Sequence, residues 1–362
     1  GRPGPVWVEL AIDVQGAECL PAFSPNPAPP KKDKESLGPL VSDVAKEIAS
    51  AKRPLLLVGN GVRISGSAET FQEFFQRLDV PAVATWSGAD LFDFDDARYI
   101  GSVGLLGERA ANRALQSCDL LVILGSRLSI PVTGYDTEAF SPESTKVMVD
   151  IDENEILKFG DRIAYPVVSD LGDFLEALGS LLSDFRSPRR ADWLKQLQDW
   201  KSQLRIEDEA IVTQDGRIDA YEFVQNLGES VQSPVNVVTD MGTSFTCTMQ
   251  AFRRRSGSRV VTSSGTSSMG FGLPGGIGAA LADPKKPTIC VVGDGGLQMT
   301  VQELQTVVHH QVPGLHVPVD QVPFVGSSQS LGHGNRDPDS LIGTQDLLLV
   351  QDGPEALPID AG

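Results

Sequence analysis

One carboxylate of this chain stands among glycines at the end of an apolar run. Residues 288–292 form the run, and Gly293-Asp294-Gly295-Gly296 follows it directly. A short apolar run bounded by a turn predicts a buried strand, and open α/β sheets bind ligands beyond the carboxyl ends of their strands. Aspartate oxygens suit Mg²⁺, and glycine lets a phosphate approach the main chain. The motif predicts a metal and diphosphate site; the alternative is an ordinary tight turn.

Two more loops of similar composition follow predicted strands. Met241-Gly242-Thr243-Ser244 comes after strand 235–239, and a glycine- and hydroxyl-rich loop at 265–270 comes after strand 259–262. Parallel strands end at one edge of a sheet, so the three loops should converge there. Their N–H groups and hydroxyls could hold a diphosphate beside a metal on Asp294. The alternative is three ordinary connections of an α/β domain.

A helix is expected after the Gly-Asp-Gly motif. Thr300 with Glu303 three residues later has the pattern of a capping box. This pattern predicts a helix that begins seven residues after Gly293. Its buried face would carry Val301, Leu304, Val307 and Val308.

Strand and helix patterns alternate in two segments, which predicts an α/β fold with two doubly wound parallel-sheet domains. The expected organisation is a last strand of an upstream domain at 1–20, a proline-rich linker at 21–39, a central domain at 40–186, a bridging helix at 187–214, a second domain at 215–311, and an irregular, poorly ordered tail at 312–362.

Composition excludes several classes of partner. The 362 residues carry a net charge of −18, which argues against nucleic acid and anionic membranes. No apolar run reaches the length of a membrane span, and no secretory signal is recognisable. The four widely spaced cysteines have neither metal nor redox spacing and indicate a reducing compartment, the cytoplasm or an organelle interior. The four histidines are interpreted as structural or solvent-exposed.

Several segments together resemble the thiamine diphosphate enzymes of the acetolactate synthase type. Gly293-Asp294-Gly295 opens that family's cofactor motif, and Ser268-Met269-Gly270-Phe271-Gly272-Leu273-Pro274 is similar to its loop beside the cofactor. Segments 119–125, 132–134 and 149–152 are similar to its central domain, and residues 1–8 to the end of its pyrimidine-binding domain. The resemblance runs in unbroken order over residues 1–311.

The resemblance implies the cofactor and the role of each candidate residue. Asp294 would bind Mg²⁺, and Met269 would support the bent thiazolium. Ser268 and Gly270 would flank the pyrimidine. The diphosphate would lie by Gly242, Thr243, Ser244, Gly295 and Gly296. The implied reaction removes CO₂ from a 2-oxo acid such as pyruvate, and the remaining unit is then joined to a second carbonyl compound or protonated. The implied assembly is a homo-oligomer with its active site between subunits.

The chain departs from the family at two positions. The family activates its cofactor with a glutamate of the pyrimidine-binding domain, and Glu9 matches no such position, so the catalytic residue is unknown. The family also completes its metal shell with an asparagine roughly 26 residues after Gly-Asp-Gly, where this chain has Asp320-Gln321 after a segment interrupted by Pro313 and Pro318. A substitute ligand at Asp320 or a deletion of roughly 60–80 residues between Gln311 and Val312 would explain the difference, and the deletion is the preferred explanation because Mg²⁺ tolerates a missing ligand badly.

Some relatives hold FAD in the central domain. This chain keeps Gly59-Asn60-Gly61, but Leu128-Ser129-Ile130-Pro131 replaces an Arg/Asp-rich stretch, so FAD is possible but not supported. Three functions remain open. They are an acetolactate synthase-like lyase or carboligase inactive as this isolated chain, a related 2-oxo acid decarboxylase or 2-hydroxyacyl-CoA lyase, and a non-catalytic remnant that serves oligomerisation.

Overall fold

A computed structural model describes residues 4, 6–18, 37–182, 190–206, 218–312, 314–320 and 347–349. These residues form two parallel sheets with helices on their faces, which confirms the predicted α/β class. No helix of the described part combines the length and apolarity needed to cross a bilayer.

The first sheet has six parallel strands within the described residues, in the order β3-β2-β1-β4-β5-β6. Two of them, β3 and β6, were not recognised from the sequence because they are short and carry few aliphatic residues. The strands are Pro54–Val58 (β1), Ala82–Ala84 (β2), Tyr99–Ser102 (β3), Leu120–Leu124 (β4), Thr145–Asp150 (β5) and Tyr165–Val168 (β6).

Helices cover both faces of this sheet, so its strands are apolar on both sides. Leu55 and Leu57 of β1 belong to one apolar cluster, and Leu56 and Val58 to the other. In the described residues up to 206, the helices are Ile12–Gln15 (α1), Leu37–Ser50 (α2), Gly61–Ile64 (α3), Ala68–Arg77 (α4), Arg109–Ser117 (α5), Ile130–Thr133 (α6), Glu153–Leu157 (α7), Leu171–Leu182 (α8) and Ala191–Gln203 (α9). Two 3-10 turns are at Trp86–Leu91 and Gly160–Arg162.

Helix α9, in the segment expected to bridge the domains, packs on the first sheet. Trp193 and Trp200 are buried in the same cluster as β4, and their rings meet edge to face with centroids 6.0 Å apart. The Arg113 guanidinium lies 4.4 Å from the centroid of the Trp200 ring. The aromatic residues of this helix therefore serve packing.

The second sheet has the order β11-β10-β9-β7-β8 in the described residues, and only β11 is antiparallel. Its strands are Asn236–Thr239 (β7), Arg259–Thr262 (β8), Thr288–Gly293 (β9), Leu315–Asp320 (β10) and Leu347–Leu349 (β11). Its helices are Ala220–Ser230 (α10), Thr243–Ala251 (α11), Gly272–Ala282 (α12), Asp294–Met299 (α13) and Glu303–His309 (α14).

An ionic contact joins the two domains. The buried carboxylate of Asp90 lies 2.9 Å from Arg63 of the same domain and 2.9 Å from Arg259 at the start of β8. It also accepts the backbone N–H of Val260 at 3.0 Å. Because the contact includes a main-chain group of β8, it sets the position of the second sheet against the first.

The N-terminal strand expected at residues 1–20 is not formed in the described part of that segment. Residues 6–11 have no regular structure, and α1 follows them. The side chains of Val6, Trp7 and Ile12 are 85%, 90% and 87% exposed. A strand needs a neighbour for its N–H and C=O groups, and no described strand lies beside this one.

The expectation of an irregular tail from residue 312 is wrong for residues 315–320. Strand β10 pairs in parallel with β9 through Leu315, His316, Val319 and Asp320. Pro318 lacks only its own N–H, and the pairs with β9 lie on either side of it. Apart from residues 312, 314 and β11, the rest of the segment lies outside the described residues.

Candidate functional site

The three glycine-rich loops meet at one edge of the second sheet. Strand β7 lies between β8 and β9, so the loop after it is flanked by the other two. The chain moves to one side of β7 to form β8 and then to the other side to form β9, which makes the β7/β9 boundary the topological switch point. Ligands bind at such a point in open α/β sheets. The expected convergence of the loops is therefore present in the fold.

Glycines at this edge leave open space. A Cβ added at Gly242, Gly265, Gly293 or Gly295 would meet no heavy atom within 4 Å. Gly242 also has a φ of +83°, which favours glycine for a second reason. The main chain is therefore accessible from outside at each of the three loops, as a phosphate ligand requires.

Polar groups without protein partners end the strands here. Thr239 and Thr262 are the last residues of β7 and β8, and each has a buried hydroxyl that no described residue bonds. Gly242 is the N-cap of α11 and has no side-chain cap among the described residues. The first N–H groups of a helix are unpaired and favour an anion. The N–H groups at the exposed start of α11 therefore fit a diphosphate.

The candidate hydroxyls differ in availability. Thr243 is exposed at the start of α11, whereas Ser244 is buried and donates its hydroxyl to the Met241 carbonyl at 3.1 Å. Ser268 is exposed and shares a 3.0 Å hydrogen bond with Thr266. The Met269 side chain is 60% exposed. Thr243, Ser268 and Met269 are thus accessible to a ligand in this chain.

Asp294 is exposed at the first residue of α13, with Gly293 as the N-cap. The Gly-Asp-Gly segment is therefore the first turn of a helix, and the expected helix start seven residues after Gly293 is wrong. No three His, Cys, Asp or Glu side chains of the described part cluster as a metal site. A metal at Asp294 would take its other ligands from the diphosphate, backbone or water, which is how proteins commonly bind Mg²⁺.

The capping box is also not formed. Thr300 is the C-cap of α13, and its hydroxyl donates to the Gly270 carbonyl at 3.1 Å. Helix α14 begins at Glu303, whose carboxylate accepts the Thr306 hydroxyl at 2.8 Å. Of the expected buried face, Val307 is buried and Leu304 packs on the core, whereas Val301 and Val308 are 49% and 50% exposed. Because α13 already uses residues 294–299, the Thr300 side chain turns to the neighbouring loop.

The position expected to complete the metal shell lies beside Gly293. In the β9–β10 register Asp320 is opposite Gly293, the residue before Asp294. Helix α14 ends at His309, and β10 begins at Leu315.

The corresponding edge of the first sheet is closed. Its switch point lies between β1 and β4, and the loops there are Gly59-Asn60-Gly61 and Gly125-Ser126. A Cβ at Gly59 would lie 2.8 Å from the Ser126 Cα, and one at Gly61 would lie 2.5 Å from the Gly125 Cα. Contact between the two loops therefore explains why Gly59 and Gly61, which were considered for nucleotide binding, are glycines.

The described cysteines are buried, and the described histidines lie outside the three loops. Burial raises the pKa of the Cys118 thiol to about 11 and that of Cys290 to about 12, so both remain protonated. Cys247 is also buried and unbridged. His316 lies in β10 rather than in an exposed tail, and burial lowers its pKa. Cys19 and His333 lie outside the described residues.

Asp240 is a site residue that the sequence patterns did not predict. This residue follows β7 directly and is 2% exposed, and its carboxylate contacts the backbone of the second loop. The only sequence signal was an aspartate at the carboxyl end of a strand, which is also common in turns.

Two family models match the chain. The model described as "Thiamine pyrophosphate enzyme, central domain" matches residues 41–178, which contain the first sheet. The model described as "Thiamine pyrophosphate enzyme, C-terminal TPP binding domain" matches residues 240–331, which begin at Asp240 and contain the three loops.

Three curated relatives of this chain are named as large subunits of acetolactate synthase. The probable acetolactate synthase large subunit of Methanocaldococcus jannaschii is 32% identical over 354 residues, 95% of this chain and 59% of that protein. The acetolactate synthase isozyme 1 large subunit of Escherichia coli is 33% identical, with 86% of this chain and 54% of that protein covered. The acetolactate synthase large subunit of Lactococcus lactis is 31% identical, with 84% and 52% covered. The chain spans little more than half the length of these relatives.

Proposed function

Because this chain belongs to the thiamine pyrophosphate enzyme family, we propose that it binds thiamine diphosphate with Mg²⁺ and acts on 2-oxo acids such as pyruvate. The reaction proposed is that of a lyase or carboligase, as the names of the acetolactate synthase relatives suggest. The observation that carries this proposal is the open switch point of the second sheet, where bare glycines, the first N–H groups of α11 and the exposed Asp294 lie at one edge of the sheet.

Each loop has a proposed part in cofactor binding. Asp294 would hold Mg²⁺ beside the diphosphate, and Gly295, where a built Cβ meets no neighbour, would let the phosphates approach the backbone. Gly296 packs against Asp240 and would contribute to the site only through the main chain of its loop. Gly242, Thr243 and Ser244 offer N–H groups at the start of α11. Ser268 and Gly270 border the pyrimidine, and Met269 supports the thiazolium.

The bound cofactor supplies the carbanion chemistry, and the protein supplies position and electrostatics. In the described part of this chain no residue is assigned to cofactor activation, since Glu9 matches no activating position. We therefore expect turnover only where a pyrimidine-binding domain provides a glutamate. A homo-oligomer whose active site lies between subunits is the arrangement proposed.

The second metal ligand is proposed at Asp320. Its place opposite Gly293 supports this residue in the role that asparagine has in the family. The deletion between Gln311 and Val312 remains the alternative, and sequencing the transcript across codons 305–320 tests it. A transcript that contains extra codons there would overturn the role of Asp320.

Isothermal titration of the full chain with thiamine diphosphate, with and without Mg²⁺, tests the binding. We expect Mg²⁺-dependent binding that Asp294→Asn weakens at least about tenfold, because an amide carries no charge for the metal. Asp320→Ala should weaken it in the same direction, because it removes the proposed second ligand oxygen. Asp283→Asn, at a half-exposed residue of the same domain that lies outside the three loops, is the matched control and should bind like the wild type.

Absence of Mg²⁺-dependent binding in the wild type would contradict the proposal and favour the non-catalytic, oligomerising alternative. With binding established, adding pyruvate and a family pyrimidine-binding domain separates the enzyme alternatives by product. Acetolactate indicates the carboligase, and acetaldehyde indicates the decarboxylase.

A further inference from the structure

Asp240 is a buried carboxylate at the centre of the switch point. It follows β7, the strand between β8 and β9, and its own N–H donates to the Val291 carbonyl at 3.0 Å. Its side chain is enclosed by the loops that carry the proposed cofactor contacts. A buried carboxylate is costly unless hydrogen bonds satisfy its oxygens, so its partners show what it does.

The two oxygens of this carboxylate bind main-chain N–H groups of two loops. Oδ1 accepts from Met241 at 2.7 Å and from Gly270 at 3.1 Å. Oδ2 accepts from Gly272 at 2.9 Å. Hydrogen bonds to an ionised acceptor are stronger than those between neutral groups. One side chain thereby ties the loop after β7 to the loop after β8.

The third loop packs against the same carboxylate. A Cβ at Gly296 would lie 2.8 Å from the Asp240 Cγ, so only glycine fits there without a shift. A Cβ at Gly272 would lie 3.1 Å from the Asp240 Cβ. Gly272 and Gly296 therefore pack against Asp240, whereas Gly242 and Gly295 face open space.

A second contact holds the middle of the β8 loop. Gly270 has a φ of +81°, and its carbonyl accepts the Thr300 hydroxyl at 3.1 Å while its N–H is bound to Asp240. Both polar groups of this residue are thus fixed by the neighbouring loops. Its neighbours Ser268 and Met269 are held in place although they are exposed.

We propose that Asp240 is a positioning residue that holds the three loops in the arrangement that receives the diphosphate and its metal; this inference rests on the function proposed above. Asp240 is not a metal ligand, because its oxygens face backbone donors and are enclosed. Asp294 binds the ligand, and Asp240 keeps the loops of Gly242, Ser268 and Gly295 at their spacing. Residues that fix the groups contacting a ligand keep a binding site in its productive geometry.

Asp240→Asn tests this role, because asparagine keeps the shape but replaces one acceptor oxygen by an NH₂ group. Hydrogen exchange of the cofactor-free full chain is measured over the amides of 266–273, with β8 as an internal reference. Exchange at Gly270 or Gly272 should accelerate at least about tenfold, the effect of losing one hydrogen bond to a charged group. Val260, held by Asp90, should exchange at the wild-type rate.

Titration with Mg²⁺ and thiamine diphosphate well below the melting temperature gives the second readout. We expect an affinity loss of about tenfold in Asp240→Asn and none in the control Asp283→Asn. If Asp240→Asn does not fold, Thr300→Val replaces it, since it removes only the hydroxyl bond to Gly270. That variant should accelerate exchange in the same loop and weaken binding in the same direction.

The outcomes separate this inference from the proposed function. Unchanged exchange in 266–273 overturns the loop contact, and faster exchange with wild-type affinity overturns the positioning role. If the wild type itself binds no thiamine diphosphate, the proposed function fails, and the role of Asp240 in cofactor positioning fails with it. The exchange experiment still decides whether Asp240 holds the loops.

Discussion

At the switch point of the first sheet the chain fills the crevice with its own backbone, whereas at the switch point of the second sheet it leaves the crevice open. Gly59 and Gly61 lie against Gly125 and Ser126, closer than any side chain would allow. Gly242 and Gly295 have no neighbour within 4 Å of a built Cβ. Both edges have the topology that binds ligands in open α/β sheets, but only the second has room.

This contrast shows that a glycine at such an edge has two separate physical meanings. It either allows two backbones to touch, which stabilises the fold, or it keeps the backbone bare for a ligand. The two meanings predict opposite signs for the same substitution, because an added methyl group is a clash in one place and free surface in the other.

Gly59→Ala should give the largest effect. Its Cβ would collide with the Gly125–Ser126 backbone, and overpacking costs about 3 kcal/mol of unfolding free energy. Gly179→Ala in α8 is the control, since it has open space in a helix of the same domain. Urea unfolding measures both. A loss for Gly59→Ala no larger than for the control would show that this edge is not closed.

Ligand-dependent stability compares the two edges directly. With Mg²⁺ present, thiamine diphosphate at 100 times its dissociation constant should stabilise the chain by about 2.7 kcal/mol. FAD at the same concentration should leave the melting temperature unchanged, because the first edge holds its own loops. Thermal unfolding with each ligand measures this. Stabilisation by FAD would mean that the Gly59 and Gly125 loops separate.

Gly295→Ala should stabilise the fold and weaken the site. The residue lies in α13 with free space around it, and replacing glycine by alanine in a helix gains about 0.5–1 kcal/mol. The same methyl group stands where a phosphate must approach, so Mg²⁺-dependent cofactor affinity should fall. Unfolding and titration on one sample measure both signs. A loss of stability would show that Gly295, like Gly59, is packed against neighbouring atoms.

His316 should give the smallest effect and tests the outer strand of the open sheet. Burial lowers the pKa of this histidine in the folded state, so the unfolded chain binds more protons as the pH falls. The contribution of neutral His316 to the free energy of unfolding is retained above the unfolded pKa of about 6.5. This contribution is lost as the pH falls from there through the pKa of the folded state. His316→Gln should flatten this part of the pH dependence in urea unfolding. Identical profiles would indicate that β10 does not bury His316 against β9.

Much of the fold was accessible from local patterns. The apolar strands β1, β4, β5, β7, β8 and β9 were recognised because they are consecutive aliphatic runs between turns. Strands β3 and β6 were not predicted because they mix polar, aromatic and proline residues. Strand β10 was not predicted because Pro318 interrupts its apolar pattern. Burial by neighbouring elements, which local sequence does not contain, makes these segments strands.

The candidate site was accessible in part for the same reason. Asp294 and the loops stood out by composition, but Asp240 did not, because its importance lies in bonds to Gly270 and Gly272, some 30 residues away. The capping box failed likewise: Thr300 has the right neighbours in sequence, yet its hydroxyl finds the Gly270 carbonyl in space.

The sequence by itself determined the α/β class, the two sheets and the three loops after the strands of the second, since aliphatic periodicity and glycine placement act locally. The tertiary structure alone decided which glycines touch backbone and which face open space, and that one buried carboxylate joins the loops. These properties depend on distances between segments far apart in the chain, and a linear pattern carries no distances.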